Sequence, residues 1–541
     1  NTLGILALLF CMAAIAVVAL HWIRAQPHIA GWDELQYILL GVKDAFVRRT
    51  EGWGAYRDTL FNEYRWATPG PRLLALPMSL LHALAPTPMR LLSAGLLLIS
   101  LGVLFDALRR IAPQGAAAAA TAIIAVSPQM TMVAENYMSE ALAMPALAVL
   151  IWCLVREIAV GPAGLANMVL LGAAIGIGLL ARFSFVPVSA GALLFLLWRA
   201  AVSDEPQRSL LRIMLALFVA TLIAWPFYAY NGVRYASYAR FALSFPLDLL
   251  PSNGTLDFAW RWSGVLLREV FGVFAAPVVV LGVGAALWSL LPRLVRTWRR
   301  PDAATLAFVV ALLLTVPTFV STAIGSNQNP RYLVGVLPPL ALLLAAGFVV
   351  HRPLAALAGL LAVVQAAVML AFVWRPAPDW APPWAPLQAL AALSQRPNPR
   401  CDFGPVIALA RQSGEAAPIV RLIGDSDAFT HIQVEMQAYQ QNLPLNALPA
   451  VTAPDLAKMI ALTPDDDVLL VLEPPDPPRW HHPALPDPNR ITPQILAAVT
   501  ASGAFTEVKL PPTEGICRMR AFVPHAKLDP ARRAALLRAL H

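Results

Sequence analysis

The sequence predicts a polytopic α-helical membrane protein with a soluble α/β domain at its C-terminal end. Three observations predict it. Of 541 residues, 58% are hydrophobic and only 13% charged, with a mean hydropathy of +0.62, far more apolar than a water-soluble chain of this length. Apolar windows able to cross a bilayer, which takes about 20 residues per helix, recur between residues 3 and 374. After Trp374 the texture changes: Pro376, Pro378, Pro382, Pro383 and Pro386 make 375–400 a stiff linker in which helix cannot persist, and 401–541 reads as soluble.

The first window, Leu3 to Ile23, is long enough to span and ends without a small-residue cleavage site, so it reads as a retained helix. Further windows lie near 88–108, 115–134, 138–156, 164–182, 185–200, 210–231, 262–291, 303–324, 331–350 and 353–374, about eleven in all. The first loop, 24–87, contains an apolar stretch from Arg72 to Leu84 that is too short to span. Pro69, Pro71, Pro86 and Pro88 bracket it, and it is expected to be an interfacial helix. Residues 1–374 thus form the membrane domain.

Basic residues in short loops set the orientation. Arg109-Arg110, Arg156, the run through Arg199, Arg208 and Arg212, and the cluster Arg293, Arg296, Arg299, Arg300 fall on one side when the N-terminus is cytoplasmic. The other side receives 24–87, the link carrying Glu135 and Glu140, 232–261, Asn327 to Arg331 and the C-terminal domain. The net charge of +8 resides in such loops, and no basic patch interleaved with aromatics points to nucleic acid.

In the soluble domain, β-rich runs at Ile419–Ile423, Val468–Leu472, Phe505–Leu510 and Arg518–Val523 alternate with helical stretches at Ala428–Gln441, Pro454–Leu462 and Pro493–Ala501. That alternation predicts a mostly parallel sheet. Cys401 and Cys517 are a candidate disulfide if the domain lies outside the cytoplasm, or else two unconnected buried thiols; Cys11 and Cys153 fall within spans. Gly424-Asp425-Ser426-Asp427 either binds a cation or acceptor or caps the following helix. His431 and Glu435 lack two-His zinc spacing, and His481-His482 has no nearby Cys, so no zinc site is expected.

The candidate chemistry starts with Asp33-Glu34 in Gly31-Trp32-Asp33-Glu34-Leu35-Gln36-Tyr37, just after the first span. Carboxylates there can meet a lipid-linked substrate while staying out of the hydrocarbon, where ionised groups are costly. Glu135 and Glu140 emerge on the same side, so two segments deliver carboxylates to one interfacial region, as general-base activation of a hydroxyl or shared metal binding by Asp33 and Glu140 requires. The plainer alternative is that Ser139 and Glu140 cap a helix. Arg182, in a short connection between spans, and Arg331-Tyr332, after Ser326-Asn327-Gln328-Asn329-Pro330, are candidate phosphate-binding groups, because arginine suits bidentate recognition. Snorkelling to headgroups is their alternative role. Tyr37, Arg72, Glu135, Tyr137 and Asn329 are the expected substrate contacts.

The ordered set resembles the C-type (GT-C) glycosyltransferase superfamily, especially dolichyl-phosphate-mannose protein mannosyltransferases and bacterial lipid A aminoarabinose transferases. The landmarks are Asp33-Glu34 with Tyr37; Thr68-Pro69-Gly70-Pro71-Arg72-Leu73; the Ser127-Pro128 turn leading to Glu140; and Arg331-Tyr332-Leu333 with Pro338-Pro339. The resemblance implies transfer of one sugar from a polyprenyl-phosphate donor to a lipid, glycan or protein acceptor on the extracytoplasmic face, commonly with inversion. Asp33 matches the catalytic base, and a divalent cation (Mg or Mn) is an optional cofactor. Glu140 stands where relatives often carry Asp. The implied location is a bacterial inner membrane, N-terminus cytoplasmic and C-terminal domain periplasmic. No Walker-type loop or dinucleotide fingerprint is present, and a phosphate-activated donor needs none. The competing readings are a secondary transporter, disfavoured by the absence of a visible internal repeat and by charges gathered at span ends, and a non-catalytic assembly protein.

Overall fold

The computed structural model describes residues 2–25, 32–62, 68–81, 84–161, 164–244, 262–324, 330–374, 401–424, 430–449, 466–472, 488–503, 505–510 and 518–525. The chain divides into two compact units, one of Asn1–Ala25 with Arg57–Arg396 and one of Gln26–Tyr56 with Pro397–His541.

The first unit is helical throughout its described residues. It contains α1 (Thr2–Ala25), the end of α3 (Gly52–Phe61), α4 (Pro69–Leu80), α5 (Pro86–Leu108), α6 (Gln114–Ala125), α7 (Pro128–Glu135), α8 (Glu140–Ala159), α9 (Leu165–Ala181), α10 (Phe185–Ala201), α11 (Pro206–Ser244), α12 (Ala276–Thr297), α13 (Ala303–Ile324), α14 (Leu337–Val350) and α15 (Arg352–Trp374). Among the described residues eight helices are long and apolar enough to cross a membrane, or nine if the pair α6 and α7, bent by 67°, is one span. These, with the shorter apolar helices α9 and α10, occupy the windows expected from hydropathy. The protein is a multi-pass membrane protein. The stretch expected as an interfacial helix is α4, which starts on Pro69 and Pro71, residues suited to a first helical turn.

The core of this unit is the alanine-rich α6, in which every residue from Ala116 to Ala125 is buried. Small side chains let helices approach closely, which is how helices associate where lipid offers no hydrophobic contrast.

Two interruptions break the regular bundle. At the first, Pro128 has no amide hydrogen to continue α6 and Ser127 Oγ caps α7 by accepting from Met130 N at 3.2 Å. At the second, the window expected to run from 262 to 291 instead holds a π-helical turn, Leu266–Val270, before α12 begins, with Gly272 at φ +82, a conformation open chiefly to glycine. Gln365, fully buried on α15, serves both. Its Nε2 donates to Val126 O at 2.6 Å and to Phe271 O at 2.9 Å. Its Oε1 accepts from Phe274 N at 3.3 Å and Ala275 N at 3.1 Å.

The second unit holds α2 (Trp32–Thr50), the start of α3, α16 (Gly404–Arg411), α17 (His431–Gln440) and α18 (Pro488–Ser502). Its sheet comprises β1 (Ile419–Ile423), β2 (Asn446–Pro449), β3 (Val468–Leu472), β4 (Phe505–Val508) and β5 (Met519–Pro524), in the order β2-β1-β3-β5-β4. The expectation of a mostly parallel sheet is corrected. β1 pairs parallel with β2 and β3, whereas β5 runs antiparallel to both β3 and β4. All five residues of β3 are buried, as a strand covered on both faces should be. Arg421 on β1 is buried and grips Asp466 with two hydrogen bonds, of 2.6 and 3.0 Å, so its charge is paired where an unpaired one would be costly. Cys401 is disulfide-bonded, Cys11 and Cys153 are free, and Cys517 lies outside the described residues. So do the expected helix 454–462, His481-His482 and Asp425-Ser426-Asp427.

Gln365→Leu should expose four backbone groups to an apolar interior, at about 1–3 kcal/mol for each. Thermal unfolding in detergent is expected to show a pronounced fall in Tm, and an unchanged Tm would contradict this role.

His431 generates a pH prediction. Burial, reinforced by the charge of Lys43, lowers its pKa from 6.5 to about 4. The unfolded chain therefore takes up a proton that the folded chain refuses, so stability present above pH 6.5 is lost as pH falls toward 4. Unfolding measured across this range should show that slope, and His431→Gln should flatten it.

Candidate active site

The site is built where four irregular segments of the first unit meet: the link between α7 and α8, the turn between α9 and α10, the start of α4, and the 3-10 segment Pro330–Val336 ahead of α14. Glu140 opens α8, where the helix dipole favours an acid, and is 2% exposed. Arg182 forms an ion pair with its Oε1, and Arg331 Nε lies 3.5 Å from the same oxygen. Ser139 Oγ donates to its Oε2 at 3.0 Å. Tyr332 supplies a ring to both cations, with the Arg182 guanidinium 4.8 Å and the Arg331 guanidinium 5.4 Å from its centroid. Arg331 Nη1 also contacts Met138 Sδ at 3.4 Å.

The Pro-rich segment holds this arrangement in place. Thr68 Oγ1 donates to Ala181 O at 2.6 Å, one residue before Arg182. Gly70 presses on the same turn: a Cβ there would meet Leu180 O at 2.6 Å and Ala181 Cα at 2.7 Å. Tyr137, fully buried, donates its hydroxyl to Pro71 O. Arg72, expected as a substrate contact, is 1% exposed and donates to Thr59 O at 3.0 Å and Leu60 O at 3.4 Å. It ties α4 to the end of α3.

Glu135 ends α7 and is buried, with an Oε1 that has no hydrogen-bond partner among the described residues. Arg90, fully buried on α5, acts on it electrostatically. The sequence did not single out Arg90 or Met138, and it marked Ser139 only as a helix cap and Thr68 only within the Pro-rich landmark. For Arg90 a signal was present, since an arginine in the first turn of an apolar span needs a buried partner or a route to the interface.

The first-loop acids belong to the second unit, because α2 carries them. Glu34 is fully buried and Tyr37 half-buried. The side chain of Asp33 lies outside the described residues, as does Asn329.

Glu140 does not fit a divalent cation. Both of its oxygens are engaged and two guanidiniums crowd it, a setting that repels a second positive ion. Among the described residues no group of three or more His, Cys, Asp or Glu is placed to hold a metal. What the arrangement suits is an anion, because the guanidinium forks of Arg182 and Arg331, gathered at one place, match phosphate oxygens in geometry.

With this geometry in view, comparison with known proteins is informative. Residues 70–227 match the family described as dolichyl-phosphate-mannose-protein mannosyltransferase, and no curated protein matches by sequence. Among solved structures, ArnT from Cupriavidus metallidurans in the apo state superposes with a TM-score of 0.50 at 16% identity, covering 94% of this chain and 96% of that one. The same protein bound to undecaprenyl phosphate gives 0.50 at 15%, covering 96% and 98%. The arabinofuranosyltransferase AftD from Mycobacteria gives 0.52 at 14%, covering 95% of this chain and 40% of that one. The chain has the fold of the GT-C glycosyltransferase superfamily. It resembles the mannosyltransferases over residues 70–227 and ArnT in fold.

Glu140→Gln should remove the counter-charge that two largely buried guanidiniums share, at a cost of up to about 3 kcal/mol. Thermal unfolding of the purified variant is expected to show that loss, and a melting point equal to the unmodified protein would show that Glu140 is not their counter-ion.

Proposed function

We propose that the protein is a membrane glycosyltransferase that moves a single sugar from a polyprenyl-phosphate donor to a hydroxyl of a lipid, glycan or protein acceptor. The observation that carries this reading is the buried Arg182–Glu140–Arg331 cluster at the ends of apolar helices. A lipid-linked phosphate at headgroup depth is the anion such a position suits, with its prenyl chain among the spans. Undecaprenyl phosphate bound to ArnT, a protein of the same fold, supports that donor class.

In the proposed reaction the acceptor oxygen attacks the anomeric carbon as Asp33 takes its proton, the new C–O bond forms, and the bond to the phosphate oxygen breaks with inversion. The departing polyprenyl phosphate gains negative charge, which Arg182 and Arg331 stabilise. Glu140 holds the two guanidiniums together at one place. Tyr332 fixes the guanidinium planes by stacking.

The reaction face is proposed to be the periplasmic side of a bacterial inner membrane. In support, Glu140 opens α8 while Arg156 closes it, and Arg109 and Arg110 follow the end of α5, where they pair with Asp106. Such basic ends belong on the cytoplasmic side. The Cys401–Cys517 disulfide proposed from the sequence agrees with a periplasmic C-terminal domain.

Purified protein incubated with a panel of polyprenyl-phosphate sugars should transfer at least one sugar, and Asp33→Asn should abolish transfer with an unchanged Tm. Arg331→Lys should lower kcat as well as donor affinity, because a point charge does not reproduce the planar fork. Undiminished turnover in Asp33→Asn would remove that residue as the base.

A further inference from the structure

We infer that the C-terminal domain positions the first-loop helix through Lys43, Glu435 and Tyr439, so that a soluble-domain carboxylate sets the register of the helix carrying Asp33. The inference rests on the proposed reading only in giving Asp33 its role. The physical clamp lies within the second unit.

Helix α2 buries Leu35, Ile38, Leu39, Val42 and Ala45. Apolar burial of this kind holds a helix down but is non-directional, and tolerates small rotation or sliding. Directional contacts are supplied by α17. Lys43 Nζ lies 2.6 Å from Glu435 Oε2, with side chains only 18% and 10% exposed. Glu435 is itself fixed, because its Oε1 accepts from Ala447 N of β2 at 3.0 Å. One turn further along α17, Tyr439 lies under the Lys43 ammonium, 5.3 Å from its centroid. Phe46 meets the same ring edge-on at 5.3 Å and 89°.

The chain of connection is short. A sheet strand holds Glu435, Glu435 and Tyr439 hold Lys43, and Lys43 lies in the same continuous helix as Asp33, ten residues away, or about 15 Å along the axis. A base displaced by about 1 Å can cost a hundredfold in rate. Lys43, Glu435 and Tyr439 are therefore positioning residues, and the soluble domain is part of the catalytic apparatus rather than an appendage.

The test uses the full chain and four variants: Lys43→Met, Lys43→Arg, Glu435→Gln and the double variant Lys43→Met with Glu435→Gln. Glu435→Gln keeps a carbonyl to accept from Ala447 N. Two readouts are taken, backbone hydrogen exchange over 34–50 and steady-state transfer. Lys43→Met and Glu435→Gln should each speed exchange in α2 and lower kcat about ten- to hundredfold with little change in donor KM. The double variant should be no worse than the worse single, and Lys43→Arg should retain most of the rate. Unchanged exchange and kcat in Lys43→Met, or fully additive losses, would overturn the inference. If the unmodified protein transfers no sugar from any donor, the proposed function fails, while exchange over α2 still decides whether the clamp exists.

Discussion

Gln365 satisfies four backbone groups at two separate helix breaks, and the architecture of the membrane unit turns on this constraint. An apolar interior offers no water to unpaired amides and carbonyls, so irregular backbone survives there only where protein groups complete its hydrogen bonds. Continuous helices would carry charged groups past one another at fixed depth. Breaks allow side chains from distant segments to converge. The bend of 67° between α6 and α7 leads directly into Glu135, Tyr137 and Glu140, and the break before α12 is stitched to that bend by the same glutamine.

Convergence creates an electrostatic requirement of its own. Two arginines brought to one buried place are tolerable only with a counter-charge, and Glu140 is that charge. One carboxylate thus joins two guanidiniums from segments distant in sequence. The same carboxylate argues against a metal at this position. Thr68 and Gly70 bear on the Leu180–Ala181 backbone, which fixes the turn carrying Arg182 without adding charge, while Tyr137 and Arg72 tie the start of α4 to its neighbours.

Much of this was legible in the sequence, and the gaps have physical causes. Hydropathy located the spans because burial in lipid is a matter of composition over about 20 residues, but it is blind to axis direction, so the break near Gly272 passed as a continuous window and the bend at Ser127-Pro128, legible as a turn from its proline, still fell inside one window. Arg182 and Arg331 were legible as arginines at the edge of apolar spans, where a partner is obligatory. Their convergence on Glu140, 42 residues from Arg182 in sequence, was not, since no periodicity links those segments. Arg72 reads as a substrate contact from its place in the Pro-rich segment, while the bonds of its guanidinium to Thr59 O and Leu60 O have no counterpart in any sequence pattern. In the soluble domain, β2 (Asn-Ala-Leu-Pro) is too short to alternate, and strand direction at β5 depends on connections that a list of strands does not contain. Helix α2 read as part of the first loop because of its place in the chain, whereas its residues group with the C-terminal ones in the second unit.

The claim that the Arg182–Glu140–Arg331 cluster is a seat for a lipid-linked phosphate can be measured without turnover. Binding of undecaprenyl phosphate and of the uncharged polyprenol to the purified protein should be compared with binding to Arg182→Gln and Arg331→Gln. The account predicts that the unmodified protein prefers the phosphate and that each variant weakens its binding about tenfold or more, as expected for loss of a charge-assisted hydrogen bond, with polyprenol binding unaltered. Equal binding of phosphate and alcohol, or phosphate binding untouched by both substitutions, would contradict it.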